Sequence, residues 1–258
     1  SFSSFTLYVG DGTAAGTRRL PVGPNSQPYA LAVRGDVLFA FDGVRIFRSD
    51  GSPAGTLQLP AMAPTTVYGA SLDALPGALV FGDVGTGLFG TDGVSSPVLL
   101  SQSYAIPLGR AGDHLLFRDA RGLVATDGTL QGTVALGHVS VERVADDIIG
   151  PFAHFLENGG LYRTDGTVTG TVMLAPLPSG VSVSSIVSTD GGVYLVADSA
   201  NFGSELWRYD ATSGQIVLVV DLVPGPASGP LVMRRLGDGD SLLLLVNAPA
   251  LGLEALEG

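Results

Sequence analysis

A chain of 258 residues that is 45% hydrophobic and 14% charged can bury a substantial core and is too apolar to stay disordered. No apolar run reaches the roughly 18 residues of a membrane-crossing helix, and a net charge of -11, with all 13 basic residues arginine, disfavours nucleic acid, whose affinity comes from cations displacing counterions. The absence of cysteine excludes disulfides, thiolate catalysis and cysteine-ligated zinc together. Residues 1–10, SFSSFTLYVG, lack a basic n-region and a long apolar stretch, so the expectation is a mature chain or an excised domain.

In chain order one phrase recurs six times: LYVGDGTAAGTRRL at 7, IFRSDGSPAGTLQL at 46, LFGTDGVSSPVLL at 88, LVATDGTLQGTVAL at 123, LYRTDGTVTGTVML at 161 and LWRYDATSGQIVLV at 206. The shared aspartates Asp11, Asp50, Asp92, Asp127, Asp165 and Asp210 lie 39, 42, 35, 38 and 45 residues apart by subtraction. That period suits a propeller blade of four short strands and, equally, several helical repeats. The 37 glycines and 16 prolines, the short runs of Val, Leu, Phe and Tyr, and the lack of a sustained 3.6-residue pattern decide for strands. The predicted fold is all-β, a six-bladed β-propeller of four-stranded antiparallel blades in a single domain over 1–258.

The N-terminal FTLYVGDGTAAGTRRL supplies only a third and a fourth strand. The turn Arg34-Gly35-Asp36 then joins the first two strands of a complete blade. In the next, SLDAL is the inner strand, Pro76-Gly77 a turn, ALVFG the second strand, Asp83 to Gly87 a turn, LFGTDG the third and PVLLS the outermost. Gly112-Asp113, Asp190-Gly191 and Asp238-Gly239-Asp240 repeat the first turn with residues that tolerate positive φ. VADDIIGPFAHF departs, because Pro151 falls where a ladder donor is needed, which predicts a bulge or an edge strand. The C-terminal LVMRRLGD and SLLLLVNA supply a first and a second strand. Joined to the N-terminal pair they complete one blade, and a ring closed this way has no free sheet edge. The tail GLEALEG, similar to GSELWRY at 203, is left over.

Best preserved as SELWRYDAT at 204 and LYRTDGTVTGT at 161, the third-to-fourth-strand phrase resembles the bacterial repeat family named for its motif ELWxxDGT. DLVPGPASGP at 221–230 is similar to that family's stretch between blades. The resemblance covers essentially the whole chain and implies a secreted or cell-surface, propeller-like protein with no set activity. The chain departs from the motif at Asp92-Gly93-Val94, where the second Gly-Thr is missing, and at Asp210-Ala211-Thr212. In its place within the blade the phrase also resembles the Asp-box of sialidases, but the Asp-box order and its Trp are absent, so no sialidase chemistry is implied.

The phrase explains itself structurally. Asp165 can accept backbone hydrogen bonds within its own turn, Gly166 permits a left-handed residue, and Thr167 and Thr171 can bridge the two strands. Two literal motifs dissolve in this frame. GTGLFG at 85–90 matches a dinucleotide fingerprint, yet a strand follows it where a helix is required. RGD at 34–36 occupies a hairpin turn that other blades fill with similar residues. Neither GxSxG nor HExxH occurs, and His114, His138 and His154 lie on separate strands or connections.

Two groups of residues are candidates for a site. The second strands end at Asp42, Asp83, Asp119, Glu157, Asp198 and Asn247, one oxygen-bearing side chain per blade. They read either as turn formers or as a ring of oxygen ligands for Ca²⁺ or a similar hard cation. The connection DSANFGSELW, 198–207, presents Asn201 and Phe202, an amide beside an aromatic, as sugar and peptide sites do. Trp207 in the same stretch occupies the repeat position of Tyr8, Phe47, Phe89, Val124 and Tyr162 and is expected to pack between blades. The expected function is a non-catalytic secreted or surface propeller that recognises a glycan or protein, with no cofactor apart from that Ca²⁺. A propeller hydrolase or lyase with a channel metal, and a self-associating structural module, are the alternatives.

Overall fold

The computed structural model of the chain describes residues 6–23, 26–63, 71–83, 85–102, 106–145, 150–226, 230–237 and 241–246. Among these residues every regular element is a strand. A two-stranded hairpin, β1 (Tyr8–Val9) and β2 (Arg18–Arg19), comes first. The first meander follows as β3 (Ala30–Arg34), β4 (Val37–Phe41), β5 (Arg45–Ser49) and β6 (Leu57–Met62). The second is β7 (Ser71–Ala74), β8 (Leu79–Asp83), β9 (Gly87–Thr91) and β10 (Val98–Ser101). The third is β11 (Ile106–Ala111), β12 (His114–Asp119), β13 (Gly122–Thr126) and β14 (Val134–Ala135), and the fourth β15 (Val141–Val144), β16 (Ala153–Glu157), β17 (Gly160–Thr164) and β18 (Val172–Pro176). The fifth is longer, with β19 (Ser182–Thr189), β20 (Gly192–Ser199), β21 (Gly203–Asp210) and β22 (Gln215–Val220). A second hairpin, β23 (Pro230–Arg235) and β24 (Leu242–Val246), comes last.

The chain divides into two compact units, Ser1–Leu108 with Asp113–Gly137 and Gly109–Gly112 with His138–Gly258. Within the N-terminal unit the meanders stack face to face. Ala30, Phe39, Phe41 and Ile46 of the first meet Leu72, Leu79, Phe81 and Phe89 of the second, and Phe41 and Phe81 bring their rings to 4.9 Å. Val80, Leu88 and Leu100 on the second meander's other face meet Leu115, Phe117 and Val124 of the third. Leu7 and Val22, beside the β1–β2 hairpin, pack on Ala40 and Phe47 of the first meander. In the C-terminal unit Leu156, Leu161 and Ala175 of the fourth meander meet Ile186, Leu195 and Trp207 of the fifth. The fifth meander's opposite face, with Val187, Val196 and Leu206, receives Met233, Leu242 and Leu244.

Sheets buried on both faces need apolar side chains on both, which is why strands such as GLFGT and GLVAT are buried at every position and do not alternate. At the repeat position that Trp207 occupies, Phe47, Phe89, Val124 and Trp207 itself are buried, each contributing about 1.5–3 kcal/mol of hydrophobic stabilisation, while Tyr162 is half-buried and Tyr8 exposed. At or next to that position the third and fourth strands slip register, between Arg45 and Phe47, Leu161 and Tyr162, and Leu206 and Trp207. One expectation is corrected. Pro151 lies in the turn before β16, and among the described residues the last ladder bond runs from Ala145 N to His154 O at 2.9 Å. The first strand of this meander, β15, slips register between Val141 and Arg143, and β19 and β23 carry the same slip at Val183/Ser185 and Pro230/Val232.

Candidate functional site

The repeated phrase folds into one hydrogen-bond circuit wherever its residues are complete. In the fourth meander Asp165 Oδ1 accepts from Thr167 N at 2.8 Å and from Thr167 Oγ1 at 2.7 Å. Thr167 Oγ1 accepts in turn from Gly170 N at 2.9 Å, and the Thr171 hydroxyl donates to Thr167 O at 2.6 Å. That donation uses the only hydroxyl proton of Thr171, so Thr164 donates to Thr171 Oγ1, 2.8 Å away, while accepting from Gly166 N at 3.0 Å. Asp50, Ser52, Gly55 and Thr56 with Ser49 repeat the circuit, as do Asp127, Thr129, Gly132 and Thr133 with Thr126. The cross-strand bridge is therefore Thr164–Thr171, and Thr167 stays within the turn.

The carboxylate also explains the second glycine of the phrase. An ideal Cβ on Gly16, Gly55, Gly132 or Gly170 would fall 2.0 to 2.1 Å from the Oδ1 of Asp11, Asp50, Asp127 or Asp165. Where that glycine is missing the circuit changes: Asp92 takes Val94 N at 2.8 Å and Ser95 N at 2.7 Å, and Asp210 takes Thr212 N at 3.1 Å and the Ser213 hydroxyl at 2.7 Å. Hydrogen bonds from Thr13, Ser52, Ser95 and Ser213 hold Asp11, Asp50, Asp92 and Asp210 below the ordinary carboxyl range although all four are exposed to solvent. These bonds close within the turn, and in Asp11 and Asp50 they fall on Oδ1.

Three of the strand-end carboxylates, Asp42, Asp119 and Glu157, are engaged locally as well. Asp42 accepts from Val44 N and Arg45 N and pairs with the Arg45 guanidinium at 2.7 Å. Asp119 accepts from the Ser101 hydroxyl at 2.7 Å and from Arg121 N at 2.7 Å, and pairs with the Arg121 guanidinium at 2.6 Å. Burial alone would raise the Asp119 pKa, but the bonds from Arg121 and Ser101 outweigh it and leave it lowered. Glu157 accepts from Ser140 N at 2.7 Å and pairs with His138. Asp198 is exposed near the end of β20, where its backbone stands opposite Ser204, and Asp83 ends β8 opposite Gly87. Asn247 lies outside the described residues. Among the described residues no group of three or more His, Asp or Glu side chains is gathered as a metal site would require.

Asn201 and Phe202 sit together in the turn between β20 and β21. Phe202, 36% exposed, sets its ring edge-on to Trp207 with centroids 6.4 Å apart. Trp207 is buried against the fourth meander's core, with Nε1 shielded and without a partner. Glu205, two residues earlier and fully buried, accepts from Leu222 N at 2.7 Å and Val223 N at 3.1 Å. It ties down the chain that leaves the fifth meander.

The larger recess is one that sequence reasoning missed. A cleft of about 560 Å³ in the C-terminal unit opens between the fourth and fifth meanders. His154 and Arg163 stand opposite each other on β16 and β17 and form one wall, with the Arg163 guanidinium 4.7 Å above the Phe152 ring. Tyr194, Arg208 and Tyr209 line the cleft from the fifth meander, together with the turns carrying Asp190 and Asp210. His154 reaches across to the fifth meander, where Nδ1 is 2.9 Å from Ser188 Oγ. Burial, with the Arg163 charge adding to it, lowers the His154 pKa to about 4, so the ring is neutral at pH 7. A serine beside a neutral imidazole resembles a nucleophile and its base, but Ser188 is only 2% exposed, which leaves a packing hydrogen bond. Arg163 is exposed and has no carboxylate partner among the described residues. The signal was present in the repeats: the position of His154 holds Phe39, Val80, Leu116 and Tyr194 in the other meanders.

No family model and no curated protein matches the chain. Solved structures similar to it include a chain of the Mitotic Checkpoint Complex, at 15% identity and a TM-score of 0.47 over 93% of this chain and 80% of that one. PorZ, a bacterial surface component of the type-IX secretion system of Porphyromonas gingivalis, aligns at 14% identity and a TM-score of 0.43 over 75% of this chain. That alignment spans 28% of the PorZ chain. BamB from Moraxella catarrhalis aligns at 12% identity and a TM-score of 0.38 over 76% of this chain and 62% of that one.

Proposed function

We propose that the chain is a non-catalytic binding module of the ELWxxDGT type, secreted or displayed at a cell surface, which recognises a glycan or a protein. The observation that carries the reading is the cleft between the fourth and fifth meanders, where an arginine without a carboxylate partner, two aromatic rings and two acidic turns converge on one recess. Aromatic rings with a few placed polar groups are the lining of a ligand site. The resemblance of the repeats supports the secreted or surface setting. The test is retention of glycans from an array by purified protein, followed by mass analysis of what is released. Ligand recovered intact supports the binding module, whereas shortened or unsaturated products favour the hydrolase or lyase.

The scaffold in this proposal is a six-bladed propeller forming one domain, with β24 and β1 paired so that the two hairpins make the sixth blade. Support comes from each unit separately. In the N-terminal unit Leu31 and Val33 are 53% and 65% exposed, while their repeat equivalents Leu72 and Ala74 are buried. In the C-terminal unit Leu243 and Leu245 are 58% and 59% exposed on a hairpin with an open edge. Each apolar surface is what the other would cover. Leu244 occupies the place of Leu195, which pairs with Trp207, and Trp207 is the repeat equivalent of Tyr8. The closing register therefore sets Leu244 opposite Tyr8.

A further inference from the structure

We propose that the cleft between the fourth and fifth meanders takes a carboxylate-bearing sugar, a uronate, with the acid group on Arg163. This rests on the binding-module reading and names its ligand class.

The wall that holds Arg163 is prepared for an anion. The guanidinium lies over Phe152 at 4.7 Å, which restricts its orientation and leaves its edge of N–H donors free for a planar acceptor. Bidentate pairing with a carboxylate uses that edge, and it is among the stronger polar contacts available at an open site.

The remainder of the lining fits a sugar better than an acidic peptide. Asp190, exposed on the β19–β20 turn, can accept hydroxyl donors but would repel a run of further carboxylates. A uronate places one acid group among several hydroxyls, so both charges can be satisfied at once. Phe152 and Tyr209 offer apolar ring surface to the C–H face of a pyranose. The volume of about 560 Å³ admits a short oligosaccharide.

The experiment is calorimetric titration of the full chain at low ionic strength with a galactose trisaccharide in which one residue is galacturonate, with its methyl ester and with neutral galactotriose. The esterified trimer keeps the ring and removes the charge, so it isolates the acid group. The expected result is at least about tenfold tighter binding of the acid than of either neutral probe, a gap closed in Arg163→Gln and kept in part in Arg163→Lys. Because Arg163 is exposed, both variants are expected to melt within a degree or two of the parent. Equal affinity for acid and ester, unaffected by Arg163→Gln, overturns the uronate assignment and leaves a binding module for neutral sugars. Absence of binding by all three probes, with no saccharide retained on an array, overturns the uronate assignment together with the glycan half of the binding reading and leaves a protein as the partner.

Discussion

A Cβ built on Gly170 would lie 2.1 Å from the carboxylate oxygen of Asp165, five residues earlier. The two positions therefore form one device in which the aspartate occupies the space that only glycine leaves. Gly170→Ala is expected to displace the carboxylate and destabilise the protein by about as much as Asp165→Ala does, roughly 1–2 kcal/mol. The double variant is expected to be little worse than either single one, giving a large coupling in a thermal or urea cycle. Additive losses would show that the glycine is required for another reason.

Thr164 is fully buried and serves Gly166 N and Thr171 Oγ1 at once. Thr164→Val keeps the shape and removes both bonds, so a loss of about 1–3 kcal/mol is expected, read as a fall in the urea midpoint with an unchanged m-value. Ligand binding by the folded variant is expected to persist. Unchanged stability with abolished binding would make the repeated turn a ligand site.

His154 gives a pH signature. Its pKa is lowered to about 4 from its ordinary value of 6.5, so between those values the unfolded chain binds the proton and the folded chain does not. Stability from this group is complete above pH 6.5 and falls as the pH drops towards 4, by about 3 kcal/mol at most. His154→Gln is expected to flatten the stability curve across that window. The exposed aspartates Asp11, Asp50, Asp92 and Asp210, whose pKa values are lowered from 3.8, lose their contribution only at lower pH, so the two effects separate in an acid titration.

Asp42, Asp119 and Glu157 have their oxygens filled by Arg45, Arg121 and Ser101, and Ser140 and His138. Melting temperatures in millimolar Ca²⁺ and in chelator, at matched ionic strength, are expected to coincide. A rise in Ca²⁺ that disappears in Asp119→Asn would instead make these residues cation ligands.

The strand plan was legible because its signals are local. SLDAL, ALVFG, LFGTDG and PVLLS are bounded by Pro76-Gly77 and by the glycines and aspartates that follow, and the observed strands begin and end within about two residues of them. The Asp165 turn was legible for the same reason, since Thr164, Gly166, Thr167, Gly170 and Thr171 of its circuit all lie within six residues. Pro151 was misread because a proline near a strand start fits a turn as well as a bulge. The cleft was not legible along the chain: His154 and Arg163 meet Ser188 and Tyr209 across two sheets, a relation that periodicity does not encode. Phe202 was correctly placed in a turn, but its packing on Trp207 depends on the ring geometry of two strands.

Closure of the ring carries the scaffold on which the binding proposal stands, and the absence of cysteine makes it directly testable. Residues directly opposite in an antiparallel pair have Cα atoms about 4.5–5.5 Å apart, within reach of a disulfide. Tyr8→Cys combined with Leu244→Cys is expected to form an intramolecular 8–244 disulfide on mild oxidation, seen by peptide mass analysis of a monomer that melts higher than its reduced form. Each single variant is expected to keep a free thiol. Two free thiols in the folded double variant, or links between molecules only, would contradict a chain whose first and last hairpins share one blade.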